Sequence, residues 1–124
     1  MYPEVLDTYR KVNEQFFGNP SSLHRLGNEA DALLQQSRKQ IAQLLGAQPD
    51  EIFFTSGGTE SDNWAIKGTA MEKFAAGKHM IASSVEHPAV SKSLEQLEKL
   101  GFEITYLPVD ADGIVSVEEL GKAI

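Results

Sequence analysis

Ile52-Phe53-Phe54-Thr55-Ser56-Gly57-Gly58-Thr59-Glu60-Ser61-Asp62-Asn63-Trp64-Ala65-Ile66 is the stretch around which the rest of the chain is organised. A short apolar, β-prone run enters a Ser-Gly-Gly-Thr turn, and the turn opens directly into a segment with helical character. Strand, glycine turn and helix start together aim several backbone N–H groups at one point. Adjacent glycines let the backbone approach a ligand with no Cβ in the way, and Thr59 can add a hydroxyl. The stretch therefore has the form of a cradle for a phosphate or other small anion. It is equally the form of a tight strand-to-helix connection that binds nothing. Glu60 and Asp62 fall in the first helical turn, where carboxylates suit the positive end of the dipole. They also repel a phosphate, so an anion site here requires their side chains to point away from it.

Upstream, Val5, Tyr9, Val12 and Phe16 recur at helical spacing, which predicts a helix from Glu4 to Phe17. Gly18-Asn19-Pro20-Ser21-Ser22 breaks it. Arg25 to Leu45 reads as the clearest helix, with Leu26, Ala30, Leu33, Leu34, Ser37, Ile41, Leu44 and Leu45 on one face and Gly46 placed to end it. Gln48 to Glu51 is a turn into a strand at Ile52–Thr55, expected to be buried on both faces. Downstream, a helix is expected from Thr59 to Ala75, with Ile66, Ala70 and Phe74 on one ridge and Trp64, Met71 and Ala75 on another. A strand follows at His79–Ser83. Then comes a helix opened by Pro88 with Val90, Leu94 and Leu97 inward and Glu95 paired to Lys99, and a strand at Phe102–Leu107. Ser116 and Glu119 have capping-box spacing and start a last helix. Asp110-Ala111-Asp112-Gly113 has too few further oxygen ligands for calcium and reads as a turn; no metal site is expected. The alternation of strands and helices predicts an α/β fold with a parallel sheet and covering helices.

Composition narrows the function classes. The chain has 124 residues, 41% hydrophobic and 23% charged, enough for one small domain. Eleven basic residues against 18 acidic give a formal charge of -7, which argues against nucleic acid or an anionic membrane as partner. There is no cysteine, so disulfides and thiolate–metal sites are excluded. No apolar run reaches the roughly 20 residues of a membrane span, and Met1-Tyr2-Pro3-Glu4-Val5 is unlike a secretory signal; a cytoplasmic location is the default expectation.

Phe54-Thr55-Ser56-Gly57-Gly58-Thr59-Glu60-Ser61-Asp62-Asn63 resembles the phosphate-cup motif of cysteine desulfurases, in the class V aminotransferase group of pyridoxal-phosphate enzymes. Phe17-Gly18-Asn19-Pro20-Ser21-Ser22-Leu23-His24 and Ser84-Val85-Glu86-His87-Pro88-Ala89-Val90 agree with the same family in order and spacing. The resemblance implies a three-layer parallel-sheet fragment of the large cofactor domain of a fold-type I pyridoxal-phosphate enzyme. Residues 1–47 would form N-terminal helices and a loop, and 48–124 the alternating strands and helices. It implies pyridoxal 5′-phosphate as cofactor, with Gly58 and Thr59 holding its phosphate. By the same resemblance His87 is catalytic, stacking on the pyridine ring and assisting proton transfer, although as a lone histidine before a proline-started helix it reads as a helix cap. Asn19, Ser21, Ser22 and His24 match a loop near the family's active-site entrance; by composition they shape a turn. His79 is an ordinary strand-start residue, and Trp64 is assigned to packing.

The family's reaction removes sulfur from L-cysteine to give alanine and an enzyme persulfide, for iron–sulfur or thio-cofactor assembly. Its partners are a sulfur-acceptor protein and, in a homodimer, a second subunit. The reaction needs a lysine that carries the cofactor, an aspartate on the pyridine nitrogen and a cysteine thiolate. None of Lys11, Lys39, Lys67, Lys73, Lys78, Lys92, Lys99 and Lys122 stands in a Ser-x-His-Lys context, and neither Asp110 nor Asp112 fits the family's cofactor pattern. The expectation is thus an N-terminal portion carrying half of a cofactor pocket, inactive by itself. Selenocysteine lyase or another class V aminotransferase is an alternative, and so is a truncated, non-catalytic interaction module. In the family's fold the strand matching Ile52–Thr55 lies apart from the next two. Here it is expected to stay detached, re-pair with His79–Ser83, or meet another copy, with poor stability or self-association as the consequence.

Overall fold

Two compact units divide the chain, Met1–Phe54 and Thr55–Ile124. The computed structural model describes all residues from 1 to 124. In the first unit, α1 spans Pro3–Gln15 and α2 spans Arg25–Leu45. Proline at the start of α1 costs no hydrogen bond, because the first helical amides lack intrahelical partners anyway. Helix α1 ends two residues short of the expected Phe17, so Val5, Tyr9 and Val12 lie on it while Phe16 caps its end, and no residue of this helix is buried.

Helix α2 has the bounds its periodicity predicts. His24 caps its start, Nδ1 accepting the Gly27 amide at 3.3 Å, and Gly46 ends it in the left-handed region at φ 68°. Its buried face drifts from the expected one near the C-terminus: Ala42 is buried, while Leu44 and Leu45 are exposed. In the loop before α2, Asn19 Oδ1 accepts the Ser21 amide at 2.9 Å and the Asn19 carbonyl accepts that of Ser22 at 2.9 Å. These residues therefore shape the turn.

The expected strand at Ile52–Thr55 is not formed. The residues after the short 3-10 turn Pro49–Glu51 pair with no strand, and Phe53 is 65% exposed rather than buried on two faces. The run stays detached, one of the expected outcomes: a strand needs a partner to complete its ladder, and none lies beside it. The guanidinium of Arg38 donates to the Ile52 carbonyl and lies 5.0 Å from the Phe54 ring centroid.

In the second unit, α3 (Gly58–Glu72), β1 (His79–Ser83), α4 (Pro88–Lys99), β2 (Glu103–Leu107) and α5 (Val117–Ala123) follow in order. β1 and β2 run parallel, with His79 opposite Glu103 and Ser83 opposite Leu107. The α/β class with a parallel sheet is borne out, with two strands in the sheet. The right length of connection for a parallel pair is supplied by α4, which starts at Pro88 as expected. Leu97, 1% exposed, packs with Ala70 of α3 and with Phe102, and Ile66, Met80 and Ile104 close around them. This places the core between α3, α4 and the sheet.

Three details differ from expectation. Helix α3 stops at Glu72, so Phe74 lies beyond it and instead meets Phe102 edge-on, centroids 5.5 Å apart, with Lys78 Nζ 3.9 Å from its ring centroid. Trp64 is 58% exposed and so contributes little to packing. Glu95 pairs with Lys92 and not with Lys99, because the Lys92 ammonium reaches both carboxylate oxygens, at 2.7 and 2.9 Å. The Asp110 turn is closed by its own carboxylate, Oδ1 accepting the amides of Asp112 and Ile114 at 2.9 Å each. Ser116 caps α5 through the Glu119 amide as its spacing predicts. His79 starts β1 and shares a 2.7 Å hydrogen bond with Thr105 across the sheet. No helix is long and apolar enough to cross a membrane.

Candidate functional site

A cavity of about 260–300 Å³ would be unremarkable on composition, but one of 300 Å³ in the second unit gathers chemistry. Thr59, Asn63, His87, Pro88, Ala89, Lys92, Ser93 and Gln96 line it, from the first turns of α3 and from α4 with its cap. Thr59 and His87, singled out in the sequence 28 positions apart, thus face one space. Gly58 does not line that space; it is the first residue of α3, next to Thr59.

His87 is held from below. Its Nδ1 accepts the Ala89 amide at 3.1 Å, which caps α4, so the helix-cap role read from the sequence is real. A ring that accepts at Nδ1 carries its proton at Nε2 when neutral. Nε2 has no partner in the chain. Capping and ligand contact are therefore compatible: one nitrogen fixes the ring, and the other is left for chemistry.

Thr59, in the first turn of α3, brings that helix to the cavity, with Gly58 beside it outside the lining. The amides of Gly58 and Thr59 precede the first intrahelical bond and have no acceptor in the chain, and the Thr59 hydroxyl is likewise unbonded. A Cβ placed on Gly57 or Gly58 meets no atom within 4 Å, so the space in front of the bend is open. The Thr59 carbonyl, by contrast, accepts from Asn63 Nδ2 at 2.7 Å. Lys92 supplies the one formal cation of the lining, its ammonium also bonded to Glu95, and no carboxylate residue is among those that line the cavity. Unbonded donors, a cation and no acid are what a bound phosphate monoester requires. The residues present fit such a group.

Glu60, whose charge threatened this fit, turns back. Its Oε2 accepts the Ser56 amide at 2.7 Å and the Ser56 hydroxyl at 2.8 Å. The Ser56 amide, followed by its hydroxyl, holds the Glu60 carboxyl below the ordinary glutamate range. A depressed carboxyl contributes stability above its unfolded value and loses it as pH falls through the folded one. The side-chain carboxyl signal of Glu60 is accordingly expected to titrate below the ordinary glutamate range, and the Ser56 amide to lose exchange protection in the same acidic window. Titration of Glu60 by NMR within the ordinary glutamate range would contradict the bond.

Asn63, Lys92, Ser93 and Gln96 were not singled out in the sequence. Asn63 lies one helical turn after Thr59, and Gln96 one turn after Lys92, so helical period contains the signal. Only the packing of α3 on α4 makes these residues share a wall. Lys67 of α3 donates to Gln96 of α4, tying the two walls together.

The sequence pattern of the class-V aminotransferases matches residues 1–124. A NifS/IcsS protein homolog of Lactobacillus delbrueckii subsp. bulgaricus is 56% identical over 124 residues, covering 100% of this chain and 32% of that protein. The cysteine desulfurase IscS of Dictyoglomus turgidum is 51% identical over 121 residues, 98% of this chain and 31% of that protein. Among solved structures, a NifS-like protein superposes with a TM-score of 0.91 at 37% identity, over 100% of this chain and 34% of its own. The chain belongs to the class-V aminotransferase family. It spans about a third of the length of the curated relatives it matches.

Proposed function

We propose that this chain supplies one wall of the pyridoxal 5′-phosphate pocket of a cysteine desulfurase. The carrying observation is that Thr59 and His87, from the starts of different helices, line one acid-free cavity with unbonded donors toward it. In this reading the amides of Gly58 and Thr59 and the Thr59 hydroxyl bind the cofactor's phosphate. The His87 ring, pinned by its own cap, stacks on the pyridine and holds or passes a proton at Nε2. When bound, the cofactor supplies an electron sink for the carbon next to the substrate's amino group. The substrate is L-cysteine and the sulfur passes to an acceptor protein, in the cytoplasm, with the complete enzyme a homodimer. The lysine, aspartate and thiol that the reaction needs do not stand in the family's contexts in this sequence. Cofactor binding without turnover is therefore the activity expected of these 124 residues.

Titrating the chain with pyridoxal 5′-phosphate, followed by amide NMR, tests this. The Gly58 and Thr59 signals are expected to move saturably, and unphosphorylated pyridoxal to move them far less. Equal responses to the two compounds would remove the phosphate from the pocket. His87→Asn separates the two roles of the ring, because asparagine caps a helix as well as any residue. It is expected to keep the stability of α4 and to weaken binding by a factor on the order of 2 to 10, the range of an offset aromatic contact worth about 0.5–1.5 kcal/mol. Unchanged affinity in His87→Asn would leave His87 as a cap alone.

A further inference from the structure

The bend before α3 is bonded on one side only. Besides the two Ser56 bonds to Glu60, the Gly57 carbonyl accepts the amides of Glu60 and Ser61 at 3.1 and 3.2 Å. Thr55 and Ser61 share a hydroxyl hydrogen bond of 2.7 Å, and whichever of the two does not donate in it has its proton for the Gly57 carbonyl, 3.2 Å from Thr55 Oγ1 and 3.3 Å from Ser61 Oγ. The Ser56 amide and hydroxyl and the Gly57 carbonyl are thus engaged, while the amides of Gly58 and Thr59 are not engaged at all. Glu60 supplies both side-chain bonds that hold Ser56, and the glycines that follow carry no side chain to hold the bend from the open side.

We propose that Glu60 is a positioning residue for the phosphate-monoester end of the ligand. Its carboxylate clamps Ser56 from behind, so the Gly58 and Thr59 donors are already aimed when the anion arrives. This rests on the pyridoxal-phosphate pocket described above. Two effects compete at Glu60. Pre-ordering of the bend favours binding, because the ligand does not have to order it. The negative charge of the carboxylate opposes binding, weakly for an exposed group in salt. The clamp is the larger effect, since the carboxylate is engaged in two charge-assisted hydrogen bonds to Ser56, while its charge is exposed and screened.

The test uses the full chain with pyridoxal 5′-phosphate as probe and inorganic phosphate as the anion alone. Glu60→Ala is expected to weaken both, on the order of tenfold, and to abolish exchange protection of the Ser56 amide while that of the Leu97 amide stays unchanged. Glu60→Gln keeps an oxygen that accepts from Ser56 without the charge, and is expected to restore both protection and affinity. Ser56→Ala removes one of the two bonds and is expected to fall between, which keeps a readout should Glu60→Ala fail to fold. Binding by Glu60→Ala as tight as, or tighter than, that of the unaltered chain overturns the clamp and makes Glu60 a competitor for the site. Absence of any saturable response in the unaltered chain sinks the pocket itself, a separate and prior failure.

Discussion

Gly27→Ala is expected to destabilise the first unit by about 2 kcal/mol or more. Helix propensity by itself points the other way, favouring alanine over glycine within a helix by about 1 kcal/mol. The surroundings decide. A methyl group at this position falls 2.1 Å from the Ser22 carbonyl oxygen and 2.8 Å from that of Asn19. Both obstacles are backbone, so no side chain can swing aside. Gly18 presents the reciprocal contact, its added Cβ lying 2.3 Å from the Leu26 carbonyl oxygen. The two glycines let the loop from Gly18 to His24 lie directly on the first turn of α2, and the same turn carries the His24 cap. Urea denaturation read at first-unit amides checks this, with Gly68→Ala of α3, read at second-unit amides, as the control for glycine within a helix, because nothing lies within 4 Å of a Cβ there. The control is expected to be neutral or stabilising by up to about 1 kcal/mol. Gly27→Ala as stable as the control would mean that the loop does not rest on α2 as described.

That contact also marks where sequence reading stops. Signals carried by neighbours along the chain are legible: His79–Ser83 as a strand, Pro88 opening α4, Gly46 ending α2 and Ser116 starting α5 all appear where pattern and capping put them. Gly27 sits inside a strong helical pattern, and nothing local says that its missing Cβ is occupied by a loop carbonyl. The same limit explains Ile52–Thr55. A run of Ile-Phe-Phe has strand character, but a parallel strand exists only with a partner, and here none lies beside it. In the site, the motif brings Gly58, Thr59 and His87 to notice, while Asn63, Lys92 and Gln96 depend on two helices meeting. Glu60 was visible as a charge in the wrong place; that it bends back onto Ser56 is a fact of geometry.

Leu97→Ala is expected to cost about 3 kcal/mol, within the range for a fully buried leucine truncated to alanine. Two features push it toward a large effect. The core cluster of the second unit is small: Leu97 contacts Ala70 and Phe102, with Ile66, Met80 and Ile104 only partly buried around them. No large neighbour can move in without uncovering itself. In addition, the Leu97 carbonyl accepts the Leu100 and Phe102 amides at 2.9 and 3.1 Å, so the residue that fills the core also sets the turn from α4 into β2. A stable domain has only about 5–15 kcal/mol to lose, and a unit with so few buried side chains is at the low end of that scale. The second unit is therefore expected to lose its cooperative urea transition, while first-unit amides keep theirs. The consequence reaches the candidate site, because Leu97 fastens the helix whose first turn carries His87 and whose Lys92 and Gln96 form a wall of the cavity. The pyridoxal-phosphate response at Thr59 should vanish together with that transition. Leu97→Met, close in volume, should cost less than about 1.5 kcal/mol and retain the response. A Leu97→Ala chain that melts like the parent, or one that unfolds yet still responds to the cofactor at Thr59, would show that α4 is not what holds the two walls together.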